Sequence, residues 1–289
     1  MTILNAVIQG ILLGGLFALF ACGLSLMFGV MDVINLAHAD VAVAAVYLAV
    51  VLIPLTHIPA IWIFVLVVPV FTLGGYLMQR LLFQPGLESG VITTLLVTFG
   101  LSVVLENILL EVFTANSHSL NIGSLVSGSI HISRQIYVPY LSLIILGTAL
   151  VALTGVQLFM ARTRTGRMVR AVADDPETAQ LVGANHRHLF GIAAAIAFGT
   201  VALAGLALGM YTSVAPTAGP TYLLYGFEAV VIGGLGSLWG TLIGGMVLGV
   251  ATTLGSQINP TWGALMPNLI FLAVLAVRPR GLFPKKAVA

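Results

Sequence analysis

Charge is scarce in this sequence. Its 289 residues hold eleven Lys or Arg and nine Asp or Glu, only 7% of the chain, where a soluble domain is about 25% charged. That scarcity excludes the ordinary soluble globular class. Lysine is rarer still, because Lys285 and Lys286 in the C-terminal tail are the only two. A nucleotide-binding P-loop needs G-x-x-x-x-G-K-[ST], so the chain is not a standard P-loop ATPase, and any ATP-driven process would need its ATPase on another chain. One cysteine, Cys22, excludes an intramolecular disulfide and leaves zinc-type spacing nothing to act on. A net charge of +2 is too small to argue for nucleic acid. No His pair has H-x-x-x-H spacing on an apolar helix; His186 and His188 sit two apart on a basic loop. Ser25 or Ser237 beside His38 is the one arrangement that suggests an intramembrane Ser–His enzyme. Neither serine lies in a G-x-S-x-G elbow, so no catalytic residue is assigned.

What is present is apolar: 59% of the residues are hydrophobic and the mean hydropathy is +1.11. Apolar runs of roughly 20 residues recur, each long enough to cross a hydrocarbon core about 30 Å thick. They lack the polar face of a soluble helix and the two-residue alternation of a β-barrel. The expected fold is all-α: one polytopic transmembrane helical bundle, residues 1–289, of about eight segments. These are 4–29, 39–56, 59–83, 90–114, 138–161, 187–212, 222–255 and 261–277. The first stretch, Ile3 to Val30, has no Lys/Arg-rich start and is too long for a signal h-region, so it reads as a retained span. The seventh is too long and is interrupted by GGLGSLWG, Gly233 to Gly240. Such a break is tolerated at membrane depth only against protein or a wet cavity, so a re-entrant pair or a broken helix is expected there.

Arginine sets the orientation through the positive-inside bias. Arg80 follows the third segment; Arg162, Arg164, Arg167 and Arg170 follow the fifth; Arg278, Arg280, Lys285 and Lys286 follow the last. The loop from Thr114 to Val138 is rich in Ser, Asn, Gly and His, and reads as extracytoplasmic. The loop over 162–187 and the C-terminus are therefore expected in the cytoplasm, while the N-terminal side carries too little charge to place. The charged residues concentrate between Arg162 and His188, which hold eight of the chain's twenty Asp, Glu, Lys and Arg. Within this island Asp174-Asp175-Pro176-Glu177 reads as a helix start, since acidic residues and proline suit a first turn. Thr178 to Val182 continue the helix, and Gly183 stops it. A helix of two turns is marginal alone in water and needs a surface to lie against.

Polar residues inside the bilayer are the sharper signal, since each costs about 2.5–3.5 kcal/mol at mid-membrane. Asn35, His38 and Asp40 form the densest group, with Asp32, Glu106 and Glu228 elsewhere. If helical, Asn35 and His38 share a face. They either cap a helix start or line a translocation path; Glu228 has the same two readings, and Gly233, Gly234, Gly236 and Ser237 of the break shortly after it are further candidates for that path. A faint internal echo joins a Gly-rich helix leading to Asn35–Asp40 with an Ala/Gly-rich helix, Ile192 to Met210, leading to Glu228 and the break. The 32 glycines suit close helix packing in lipid.

Glu177-Thr178-Ala179-Gln180-Leu181-Val182-Gly183 resembles the E-A-A-x-x-x-G coupling loop of ABC importer permeases, with Thr for the first Ala. Further blocks resemble the branched-chain amino acid permease family, in particular its H-subunit-like members: Gly14-Gly15-Leu16 to Leu24, Gly29 to His38, Thr165-Gly166-Arg167 to Gly183, and Val231-Ile232-Gly233-Gly234-Leu235-Gly236-Ser237. Two departures stand out: the I-x-L-P tail is missing after Gly183, and Ala39 replaces the glycine usual after the His. The resemblance implies a subunit of the bacterial inner membrane that pairs with a second, related permease, docks two cytoplasmic ATPase subunits through the 162–187 loop, and receives branched-chain or related amino acids from an extracytoplasmic binding protein. It implies no cofactor on this chain, with ATP and Mg held by the ATPases. Arg167, Arg170, Asp174, Asp175, Glu177, Ala179 and Gly183 would then form the coupling surface. The competing reading is an ion-coupled secondary transporter or channel for small polar solutes, since these also use broken helices and buried carboxylates.

Overall fold

A computed structural model describes residues 3–56, 60–121, 128–133, 136–181 and 183–283. The helices are α1 (Ile3–Met31), α2 (His38–Thr56), α3 (Ala60–Met78), α4 (Gln84–Ser89), α5 (Val91–Phe113), α6 (Tyr140–Arg162), α7 (Arg164–Asp174), α8 (Pro176–Leu181), α9 (His186–Tyr211), α10 (Gly219–Gly233), α11 (Leu238–Ile258) and α12 (Pro260–Val277). A π-helical turn over Gln79–Phe83 joins α3 to α4. Among the described residues eight helices are long and apolar enough to span a membrane, and the protein is an all-α polytopic bundle. Among the described residues the one sheet is an antiparallel pair, β1 (Ser129–Ser133) with β2 (Ile136–Pro139), in the loop that the sequence left without secondary structure.

Glycine fixes the helix pairs. α1 runs antiparallel to α11: Gly10 abuts Val250 and Thr253, Gly14 abuts Met246, and the Thr253 hydroxyl donates to the Ala6 carbonyl at 2.8 Å. Any side chain at Gly10 or Gly14 would run into α11 backbone, so close backbone approach holds this pair together. α9 runs antiparallel to α3, with Gly199 making room for the Thr72 side chain and Gly191 for the Tyr76 ring.

These pairings define two faces. The hairpin face holds β1–β2 and the start of α1, whose Gln9 donates to the Tyr137 carbonyl at 2.6 Å. The island face holds α7, α8 and the segment after α12. Among the described residues every arginine lies on the island face: Arg80 over the Tyr76 ring, Arg187 bridged to Glu88 at 2.9 Å, Arg162 to Arg170 at and beyond the end of α6, and Arg278 and Arg280 after α12.

Two connections re-enter the bundle. After α1 reaches the island face, Asp32–Ala37 doubles back, so that His38 at the head of α2 meets the Phe20 carbonyl. Phe20 lies eleven residues before Met31, about 16 Å up the helix at 1.5 Å per residue. After α9 reaches the hairpin face, Thr212–Ala218 turns inward through a 3₁₀ turn at Pro216–Ala218, so that Gly219 at the head of α10 packs on Asp40. α2 and α10 thus begin near mid-depth and run to opposite faces. α1 packs on α10 and α11 as α9 packs on α2 and α3. The faint echo in the sequence is therefore an inverted repeat. The break expected in 222–255 is real: α10 ends at Gly233 and α11 starts at Leu238. With α10 included, the two ends of the described chain lie on opposite faces.

Candidate functional site

The mid-depth cluster forms where the two re-entrant heads meet. Asn35 is not helical. It belongs to the turn before α2, where its Oδ1 accepts from the Ala37 amide at 3.0 Å and its Nδ2 faces the Met27 sulfur at 3.9 Å. The helical spacing expected for Asn35 and His38 is thus replaced by a turn, which satisfies backbone amides that would otherwise be orphaned at depth. His38 Nε2 lies 3.1 Å from the Phe20 carbonyl, and its ring fills the space beside Gly23 and Thr200. Asp40 sits in the first turn of α2, where a carboxylate complements the helix dipole. Its Oδ2 accepts from the Ser102 hydroxyl at 2.5 Å, and its Oδ1 points at Gly219, where a Cβ would overlap it. One carboxylate therefore ties α2 to α5 and to the start of α10. Ser102 was missed in the sequence. Its signal was the stripe Thr94, Thr98 and Ser102, spaced four residues apart and all buried on α5.

Glu228 lies on α10 with 0% exposure, and neither carboxylate oxygen has a hydrogen-bond partner among the described residues. Gly233, Gly234, Gly236 and Ser237 are not with Asn35, His38 and Asp40. They form the α10–α11 break on the island face. Gly234 and Gly236 adopt φ of +106° and +77°, a region open to glycine and costly for most other residues. Ser237 caps α11 by accepting from the Gly240 amide. The segment after α12 straps this break: the Leu282 amide donates to the Ile232 carbonyl at 2.8 Å and the Phe283 amide to the Gly233 carbonyl at 3.0 Å.

The island holds two helices where one was expected. α7 is amphipathic, with Val169 and Val172 buried and Gly166 pressed on Phe159 and Met160 of α6. Thr163 caps it, accepting from the Gly166 amide at 2.9 Å. Arg167 and Arg170 lie on its outward side. Asp174 is the last residue of α7 and not part of the next helix start. Asp175 is the cap of α8, accepting from the Thr178 amide at 3.1 Å. Gly183 has φ +86°; bonds from its amide to Gln180 and from Ala184 to Ala179 close the helix in a Schellman arrangement. Ala179 is buried, while Leu181 is 87% exposed. The Glu177 side chain, Val182, Lys285 and Lys286 lie outside the described residues.

Island and break share a groove of about 300 Å³, bordered by α7 (Arg170, Ala173), the end of α1 (Ser25, Gly29), the break (Gly236, Ser237) and Phe283. Gly29 lies against Gly236. A shift of α7 therefore has a direct route to the break and to α1.

Residues 6–275 match the family model for the permease component of branched-chain amino acid transport systems. The chain belongs to that family. The permease is 26% identical to the high-affinity branched-chain amino acid transport system permease protein BraD of Pseudomonas aeruginosa, over 99% of this chain and 97% of the relative. It is also 26% identical to the LivH permease protein of the corresponding Escherichia coli system, over 99% and 96%. The fructose import permease protein FrcC of Rhizobium meliloti is 38% identical over 126 residues, 40% of this permease and 35% of that protein. No solved structure matches.

Proposed function

We propose that this permease is one half of the membrane path of an ATP-driven importer of the bacterial inner membrane. It would pair with a second, related permease, with two cytoplasmic ATPase subunits and with an extracytoplasmic substrate-binding protein. ATP and Mg belong to the ATPases, and this chain carries no catalytic residue. The island face, with the C-terminus, is cytoplasmic; the gathering of arginine there supports that assignment. The cargo class is branched-chain amino acids or close relatives, in line with the names of the two relatives matched over nearly their full length.

The carrying observation is the groove that sets α7 against the α10–α11 break. α8 carries Glu177 in its sequence, is capped by Asp175 and is too short to stand alone; Arg167 and Arg170 lie on the preceding α7, and exposed Leu181 is an apolar contact suited to a partner's groove. ATPase closure pushes α8; α7, packed on α6, carries the push to the break; the break and strap change the tilt of α10 and α11. Glycine-rich packing lets such a bundle hold two arrangements.

The test is uptake into proteoliposomes loaded with ATP. Gly183→Val places a β-branched residue at φ +86°, where even an ordinary side chain costs roughly 1–2 kcal/mol, and it misaims α8. Uptake is expected to fall at least about tenfold with membrane insertion unchanged. Undiminished uptake, or uptake driven by an ion gradient without ATP, returns the chain to the secondary-transporter reading.

A further inference from the structure

The groove between α7 and the break has a feature that coupling does not use: it is built to hold an anion. α11 is 21 residues long, and its positive end opens here. The Leu238 and Trp239 amides have no backbone acceptor among the described residues, while Ser237 already serves Gly240. Arg170, an exposed cation of α7, borders the groove on the opposite side. Deep in the groove Ser25 is 1% exposed and its hydroxyl has no hydrogen-bond partner. A dipole end, a cation and an orphaned donor thus border one groove.

The remaining lining says which anion. Leu26, Val30 and Met160 form an apolar wall on α1 and α6, and these two helices end close by, at Met31 and Arg162. Trp239, 48% exposed, sits at the rim, the level at which tryptophan collects at a membrane–water boundary. We propose that the groove binds the phosphate of an anionic phospholipid headgroup, with an acyl chain along the apolar wall. The phosphate lies between Arg170 and the α11 N-terminus, so a bound lipid bridges the island to the break. This inference does not depend on an ATPase partner.

The test uses the full chain in detergent with Trp62→Phe and Trp262→Phe, both exposed positions, leaving Trp239 as reporter. Short-chain phosphatidylglycerol is expected to change its fluorescence saturably. Diacylglycerol of the same chains and inorganic phosphate are each expected to bind at least about tenfold more weakly. Arg170→Gln, at an exposed site, is expected to weaken the lipid by about tenfold; Arg164→Gln, outside the groove, is expected to leave it unchanged. Equal binding of diacylglycerol would make the groove merely apolar. Inorganic phosphate binding as tightly as the lipid would make the ligand a free anion, and leucine displacing the lipid would make this a cargo exit site. Each of these, or an unaltered Arg170→Gln variant, overturns the proposal.

Discussion

Asp32–Ala37 and Thr212–Ala218 each leave the end of a long helix and double back to mid-depth before a new helix begins, yet they are made of different parts. The first relies on side chains: Asn35 caps the turn, His38 reaches the Phe20 carbonyl, and Asp40 takes the Ser102 hydroxyl. The second contains no charged residue and relies on backbone. Val214 exchanges two hydrogen bonds with His118 of the hairpin-face loop, at 2.8 and 3.0 Å, and the Tyr47 hydroxyl lies 2.9 Å from the Asn116 and Val214 carbonyls. Both meet the same need, which is to leave no backbone group unpaired in hydrocarbon. The difference teaches that a polar residue at mid-depth need not touch cargo. Asn35, His38 and Asp40 each commit a polar atom to the helix start they hold, leaving only His38 Nδ1 and Asp40 Oδ1 unpaired, whereas both oxygens of Glu228 lack a partner among the described residues; Glu228 is the better candidate for a group that meets cargo or a partner chain.

The comparison breaks most sharply where the two connections touch. A Gly219→Val change forces Asp40 from its place, so both re-entries fail together. Overpacking costs about 1–3 kcal/mol, and displacing a buried carboxylate adds to it. The expected outcome is loss of monodisperse protein on size-exclusion chromatography in detergent. Ser102→Ala damages only the first re-entry. A hydrogen bond to a charged group contributes about 1.5–3 kcal/mol, to be read as a lower midpoint of thermal unfolding. Tyr47→Phe is the smallest, about 0.5–1.5 kcal/mol, because the Val214–His118 backbone bonds remain. If Tyr47→Phe proved costlier than Ser102→Ala, the division into side-chain and backbone support would be wrong.

The span boundaries were legible in the sequence because long apolar runs leave little freedom: α5 and α12 lie within a residue of where hydropathy placed them. The Gly183 stop and the broken seventh segment were also legible, since both rest on local glycine chemistry. Depth was not. Nothing in Asp32–Ala37 says that it folds back along α1, because that depends on Gly23 leaving room for His38, a contact fifteen residues away in the chain. α7 was hidden because its arginines read as a membrane anchor, although Val169 and Val172 sit at helical spacing. The separation of Ser237 from His38 was hidden for a similar reason: both lie near glycine-rich helices, but on different levels of the bundle.

The central claim is that α7 must move against the α10–α11 break for transport to occur. Ala173→Cys with Trp239→Cys, in a Cys22→Ala background, places one thiol on each side of the groove. A short bifunctional thiol reagent cleavable by reduction then locks them. The account predicts that ATP-driven uptake by the assembled importer stops when the bridge forms and returns when it is cleaved, with neither single-cysteine variant affected. Uptake that continues at full rate across an intact bridge would contradict it.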